Sequence, residues 1–229
     1  MNRVLNLVLG LVKWPVALAP LALLPGAALA FKTELELARN SFDAVAPFLT
    51  GIGGYTLLWV LVLRRRATLH GSFWSTLEHE ATHILFTLLT LGRVRGLLAT
   101  HRNGGQMQHH GSGNWLVAIS PYFFPTLSGA VMLIMLALDG DALRTAELIL
   151  GVTVAYHVAS TYSETNRHQT DLQLVGFRFS WAFLPAANIA SFGMIFGMAR
   201  NGTTGLGSFY TRLWTESGEF WTGVQGVIR

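Results

Sequence analysis

The chain of 229 residues lacks cysteine altogether, and it has few charged residues for its length. Without cysteine it can form no disulfide, and any metal must be held by His, Asp or Glu rather than by thiolates. Only 12% of its residues are charged, against about 25% in an average soluble domain. Together with an apolar fraction of 51% and a mean hydropathy of +0.42, this scarcity indicates an integral membrane protein.

Basic residues outnumber acidic ones and give a net charge of +4. They stand at the ends of apolar runs, which is the pattern of membrane anchoring. No basic stripe with interleaved aromatic residues is present, so a nucleic-acid partner is excluded. Membrane lipids are the partners that this distribution predicts.

Six apolar runs approach the roughly 20 residues that a membrane-spanning helix needs. They predict an all-α polytopic membrane protein with about six transmembrane helices, at residues 4–30, 47–63, 73–91, 115–138, 146–162 and 172–198. The first run also resembles a cleaved signal peptide, but its length and the internal Lys13 favour a retained helix. We expect a membrane-embedded domain over residues 1–199 and an interfacial or soluble tail over residues 200–229. In the fourth run, Pro121 and Pro125 predict a kink.

A polar, glycine-rich segment, residues 92–114, separates the third and fourth runs. It can be a surface loop, or a re-entrant hairpin whose backbone is covered by protein or water. As a hairpin it could bind an extended substrate by strand addition, with Gly104 and Gly105 permitting a tight turn. Asn114 would line a polar cavity beside it. These three residues are therefore our candidates for substrate binding.

Membrane orientation stays open at this point. Arginines precede the third run at residues 64–66 and follow it between residues 93 and 102. Both groups should face the cytoplasm, yet a full crossing would separate them. Either the third helix does not cross fully, or the hairpin folds back, or one group is an exception.

The third run contains the motif H-E-x-x-H, with His79, Glu80 and His83. On a helix, residues four apart lie on one face, so both imidazoles can bind the same zinc ion. Zinc lowers the pKa of a bound water to about 7, and Glu80 can then take its proton as general base. The motif alone matches by chance in some chains, but ionisable groups within an apolar helix usually have a function.

A catalytic zinc site needs a third protein ligand besides the two histidines. Asp171, at the start of the sixth run, is our first choice, although it could also be a carboxylate that only complements a helix dipole. The alternatives are Glu164, His168, His157 and the pair His109 and His110. His157 lies in an apolar run and could equally be a buried structural histidine.

Taken together, these motifs resemble the site-2-protease class of intramembrane metalloproteases, particularly its small M50B-like members. The resemblance covers about residues 78–176. It rests on His79-Glu80-Ala81-Thr82-His83, Thr90-Leu91-Gly92-Arg93-Val94, the glycines Gly104, Gly105 and Gly111, Pro121-Tyr122-Phe123-Phe124-Pro125, and Asp171. It implies that Asp171 is the third zinc ligand and Glu80 the catalytic base. It further implies a transmembrane segment of another protein as substrate and the bacterial cytoplasmic membrane as location.

The sequence therefore predicts an intramembrane zinc metalloprotease. Two other classes of function remain open. One is a zinc-binding membrane scaffold or assembly partner without proteolytic activity, against which the intact Glu80 argues. The other is a metal or proton transporter, which would spread ionisable residues through several helices. Oligomeric state cannot be read from the sequence.

Overall fold

The structure is a computed structural model that describes residues 3–65, 73–100, 104–109 and 114–228. It is a bundle of helices with one antiparallel β-hairpin, β1 (Val94–Thr100) and β2 (Gly104–His109). The helices are α1 (Arg3–Asn40), α2 (Phe42–Leu61), α3 (Phe73–Leu89), α4 (Trp115–Ile119), α5 (Thr126–Met135), α6 (Gly140–Glu164), α7 (Thr170–Val175) and α8 (Phe177–Ile228). Single 3₁₀ turns lie at Leu63–Arg65 and Ser120–Tyr122.

The expected polytopic helical membrane fold is confirmed. Among the described residues, α1, α2 and α8 are long and apolar enough to cross a membrane, and the bent pair formed by α4 and α5 makes a fourth candidate. Large apolar side chains cover the outside of these helices, as lipid contact requires. Among these residues the count by length and composition is thus three or four, lower than the expected six or so, which stays a prediction. One reason is that α3 has only 17 residues, about 25 Å of helix. The other is that α6 carries polar residues along its length.

The predicted kink in the fourth run is present. The axis turns by 76° between the segment Trp115–Tyr122 and α5, with Pro121 and Pro125 on either side of the bend. The amides of Phe123 and Phe124 both donate to the carbonyl of Ser120. The backbone groups at the break therefore keep partners, which membrane depth demands.

The sixth run is also interrupted. Helix α7 ends at Gly176, whose φ of 91° suits glycine, and α8 follows at once. Within α8, Asn201 and Gly202 leave the helical conformation. Beyond this break the chain folds back along the preceding arm, since the backbones of Gly197 and Gly205 come into direct contact.

The tail beyond residue 200 is therefore the second arm of a helical hairpin. It packs against α1, where Ala27 and Ala30 meet Phe209 and Leu213 in one buried cluster. The indole of Trp221 donates to the carbonyl of Ala22 at 2.8 Å. Its placement at the membrane interface or in solution stays a prediction.

Helix α1 also contacts the centre of the molecule. Lys13 interrupts the first apolar run, and its ammonium group donates to the carbonyl of Val175 at the end of α7, at 2.8 Å. The indole of Trp115 in α4 donates to the carbonyl of Leu9 at 2.7 Å. These two polar contacts fix α1 to the short helices that flank α3.

Candidate metal centre

Helix α3 directs most of its polar side chains inward, and the apolar side chains at its end face outward. Glu78, Glu80 and His83 are buried, whereas Leu88 and Leu89 are exposed. A helix in water shows the opposite arrangement, but ionisable residues of membrane helices face the interior of the bundle. The H-E-x-x-H motif therefore lies inside the protein.

Three side chains converge beside this face of α3. The rings of His79 and His83 lie with centroids 4.8 Å apart. Oδ2 of Asp171 is 3.2 Å from Nε2 of His79 and 3.3 Å from Nε2 of His83. Neighbouring ligands in a tetrahedral zinc site with bonds of about 2.0–2.1 Å are about 3.3–3.4 Å apart. These two distances fit neighbouring ligands of one zinc ion, and three protein ligands would leave a fourth position for water or substrate.

The outer nitrogens of both histidines contact hydrogen-bond acceptors. Nδ1 of His83 lies 2.8 Å from the carbonyl oxygen of Val117, and Nδ1 of His79 lies 3.1 Å from Oε2 of Glu164. Because a carbonyl or an ionised carboxylate only accepts, each Nδ1 donates in these contacts, and in a neutral ring each Nε2 is then free to bind a metal. Metal-binding histidines are commonly oriented in this way.

The inner atoms are close enough to share one ion. Both Nε2 atoms lie 3.2 and 3.3 Å from Oδ2 of Asp171, and one ligand atom from each of the three residues lies within 4.8 Å of the others. The donor set therefore fits a metal cation, and a site of two histidines and one carboxylate is a known form of catalytic zinc centre.

The turn between α6 and α7 brings Glu164 and Asp171 to the same site. The side chains of Asn166 and Gln169 both donate to the carbonyl of Glu164, at 2.9 and 2.8 Å. They close the end of α6 and return the chain sharply. Glu164 can then contact Nδ1 of His79, while Asp171, in the first turn of α7, contacts Nε2 of the same ring.

Packing fixes the orientation of α7. Leu172 and Val175 are buried against Trp115, Ile119 and Phe179 in one apolar cluster. Asp171 lies outside this cluster, and its side chain remains 24% exposed, against 8% for His83 and 11% for His79. The more open side of the site is thus at Asp171.

Glu80 and Tyr122 complete the surroundings of the three side chains. Glu80 is buried on α3, next in sequence to His79. Tyr122, in the 3₁₀ turn after α4, sets its ring perpendicular to that of His79 with centroids 5.5 Å apart. Its hydroxyl lies within electrostatic range of Asp171, Glu164 and Glu80.

Of the alternative third ligands, Glu164 lies at the site as a partner of His79. Its other oxygen accepts a hydrogen bond from Ser75. His157 pairs instead with Glu78, with 3.6 Å between Nδ1 and Oε1, and His168 is exposed in the turn. His109 is paired with Val94 in the hairpin, while His110 lies outside the described residues.

The predicted substrate-binding residues lie next to α3. Gly104 and Gly105 are in β2, opposite Thr100 and Ala99 of β1, and the hairpin packs against α3. The segment therefore forms a hairpin, which was one of the two predicted forms, the other being a surface loop. Its re-entrant position in the membrane stays a prediction.

Asn114 has a clear structural role. Its side-chain oxygen accepts from the amide of Val117 at 2.9 Å and caps α4. Its side-chain nitrogen donates to Thr90 at the end of α3 at 3.2 Å. Since Val117 also holds His83, this asparagine orients the metal site indirectly, and its predicted contact with substrate remains a prediction.

Sequence reasoning did not identify the partners of the two histidines or the position of Tyr122. Glu164 was a candidate ligand, or else a solvated charge in a polar turn, and its place at the end of an apolar run was a signal for a buried role. The contact from Val117 is made by its backbone carbonyl. Every residue has such a group, so the residue type gives no signal for this contact.

Comparison with protein families gives one match. A family model described as Peptidase M50B-like matches residues 52–167, just over half of the chain. The chain belongs to this family. The matched segment of this M50B-like protein contains His79, Glu80, His83 and Glu164. The matched segment ends before Asp171. The place of Asp171 in the cluster therefore rests on the structure and not on the family match. Comparison with curated proteins and with solved structures gave no match.

Membership of the M50B-like family and the apolar helices together identify an integral membrane protein of a metallopeptidase family. The cluster of His79, His83 and Asp171 is a possible metal site in such a protein.

Proposed function

We propose that this protein is an intramembrane zinc metalloprotease that hydrolyses peptide bonds in or near a transmembrane segment of a partner protein. The observation that carries the proposal is the convergence of Nε2 of His79, Nε2 of His83 and Oδ2 of Asp171 beside the buried Glu80. A non-proteolytic scaffold would need the three ligands but not the glutamate.

The residues suit hydrolysis in named roles. His79, His83 and Asp171 would hold zinc. As a Lewis acid, the ion would lower the pKa of a bound water and polarise the scissile carbonyl. Glu80 accepts a proton from the attacking water as its oxygen bonds to the carbonyl carbon. The same carboxyl then gives the proton to the amide nitrogen as the C–N bond breaks.

The β-hairpin suits the binding of an unwound substrate. A two-stranded sheet leaves the outer edge of each strand with unpaired backbone groups, and β1 and β2 form such a sheet against α3. A substrate helix must open before its peptide bonds can be attacked. Strand addition to the hairpin would replace the hydrogen bonds that the helix loses.

Metal content is the first test. Zinc is measured by plasma mass spectrometry on detergent-purified wild type, His79→Ala and Asp171→Ala. We expect about one zinc per chain in the wild type, as a single three-ligand site implies, and its loss from both variants. Wild-type protein without zinc after reconstitution would overturn the proposal. Zinc lost only from His79→Ala would exclude Asp171 as a ligand.

Proteolysis is tested separately with Glu80→Gln, which keeps the size of the side chain but cannot act as base. Membranes from cells that produce wild type or Glu80→Gln are compared by labelling of new protein N-termini. We expect termini within or beside transmembrane segments in the wild type only, with zinc content equal in both. Zinc binding without any such termini would favour the scaffold.

A further inference from the structure

The hydroxyl of Tyr122 is a buried polar group without a hydrogen-bond partner in the part of the chain that the structure describes. Its residue is only 3% exposed, and no described residue lies within hydrogen-bond distance of the hydroxyl oxygen. Buried tyrosine hydroxyls nearly always have a partner, because leaving one unpaired costs free energy. Such a group beside a catalytic centre calls for a functional explanation.

The surrounding structure holds Tyr122 in place from the side away from its hydroxyl. Pro121 precedes it in the 3₁₀ turn. Its carbonyl accepts a hydrogen bond of 3.1 Å from the side chain of Asn188 in α8. Its ring rests on His79, with the planes at 90°. The residue therefore stands on the rigid side of the bend between α4 and α5.

The hydroxyl has charged neighbours at the site. It interacts electrostatically with Asp171, Glu164 and Glu80, which are the proposed ligand, the partner of a ligand and the proposed base. A phenol is a neutral donor at ordinary pH. Among carboxylates that can only accept, it is the side chain at this site that is suited to donate to a developing negative charge.

We infer that Tyr122 is a catalytic residue whose hydroxyl donates a hydrogen bond to the carbonyl oxygen of the scissile peptide as that oxygen gains charge. The inference rests on the proposed proteolytic function. As the water oxygen bonds to the carbonyl carbon, the π electrons of the C=O bond move onto the carbonyl oxygen, where the hydroxyl stabilises them. Tyr122 keeps its proton throughout, since Glu80 takes the proton of the water and returns it to the leaving nitrogen.

The test is Tyr122→Phe, which removes one oxygen atom and keeps the ring against His79. Its substrate is a peptide that spans a cut site found by N-terminal labelling with the wild type. Loss of a single donor to a developing oxyanion lowers kcat by about 100–1,000-fold. We expect this fall in kcat with KM, zinc content and melting temperature close to those of the wild type, because the donor acts in the transition state and bonds to nothing in the fold.

Tyr156→Phe is the matched control. The hydroxyl of Tyr156 is also buried without a described partner, and it too interacts electrostatically with Glu164. Its ring, however, packs against Tyr55 of α2 rather than against a metal ligand. We expect its kcat to stay within about threefold of the wild type, since no donor to the reaction is lost.

The outcomes separate this inference from the function on which it rests. A wild type that cleaves while Tyr122→Phe retains its kcat contradicts the role of Tyr122 alone. A fall in kcat accompanied by loss of zinc or by a lower melting temperature would make Tyr122 a structural residue. Absence of any Glu80-dependent cleavage by the wild type would remove the proteolytic function and, with it, this inference.

Discussion

At the scale of single residues, the site is built from an inner set of side chains and an outer set that orients them. His79, His83 and Asp171 supply the converging atoms. The carbonyl of Val117 and the carboxylate of Glu164 fix which nitrogen of each ring faces inward. The inner set follows from a motif and its chemistry, but the outer set depends on contacts between distant parts of the chain.

Replacing Glu164 by Gln tests the outer set. The amide keeps the shape of the side chain but loses the charge that stabilises the imidazole of His79 as a ligand. Changes to such outer partners lower metal affinity by about 10–100-fold. We therefore expect weaker zinc binding by competition with a chromogenic chelator, whereas Asp171→Ala should lose zinc altogether.

Glu147→Gln is the control for this change. Glu147 is on the same helix, α6, and is 17 residues away, or about 25 Å along the axis. Its substitution should leave zinc affinity unchanged. Equal affinity of wild type and Glu164→Gln would mean that the negative charge of Glu164 does not contribute to zinc binding by His79.

At the scale of elements, apolar runs located most helices, and Pro121 and Pro125 located the bend in the fourth run, but other breaks were missed. The third run, residues 73–91, matches α3. The sixth run was taken as one span, yet Gly176 divides it and the pair Asn201 and Gly202 ends its long arm. An Asn-Gly pair is a strong turn signal. Hydropathy measures how apolar a segment is and does not detect a turn. Hydropathy alone therefore predicts a tail here instead of the second arm of a helical hairpin.

The two arms of this hairpin cross where glycines meet. A Cβ atom on Gly205 would lie 1.9 Å from the carbonyl oxygen of Gly197, and backbone cannot yield as a side chain does. We expect Gly205→Ala to push the arms apart and to lower the free energy of unfolding by about 1–3 kcal/mol. Thermal unfolding in detergent, followed by circular dichroism, measures the effect.

Gly207→Ala provides a control of opposite sign. Gly207 is in the same arm, and nothing lies within 4 Å of the position that its Cβ would take. Alanine favours the helix there by about 1 kcal/mol over glycine. A rise in melting temperature for Gly207→Ala with a fall for Gly205→Ala supports the close crossing, and a rise for both would contradict it.

At the scale of the whole molecule, the first and last helices close around the elements that carry the site. Helix α1 contacts α4 through Trp115 and α7 through Lys13, and the second arm of α8 packs along α1. The short helices α4 and α7 are too small to hold their positions alone. Their attachment to α1 explains how six residues of α7 can present Asp171 reproducibly to α3.

A buried ion cluster joins these two ends of the chain, and it makes the closure testable. Glu34 in α1 is fully buried and bonds Arg200 at 2.8 Å and also Arg212, which lie on the two arms of α8. Glu34→Gln would leave two partly buried guanidinium groups without a counter-charge. Breaking a buried pair costs about 3–5 kcal/mol, so the melting temperature in detergent should fall by about 10 °C.

Glu36→Gln is the comparison that gives this result its meaning. Glu36 is two residues further along the same helix, where it forms an exposed pair with Lys32 at 3.7 Å. Exposed pairs contribute about 0–1 kcal/mol, so its loss should barely move the melting temperature.

If Glu34→Gln also loses zinc, the closure of α1 on α8 holds the metal site in shape as well as the fold. If it melts lower but keeps its zinc, the contacts of Trp115 and Lys13 and the apolar packing of α7 hold the site without the ion cluster. If both variants melt like the wild type, the ion cluster does not stabilise the closure.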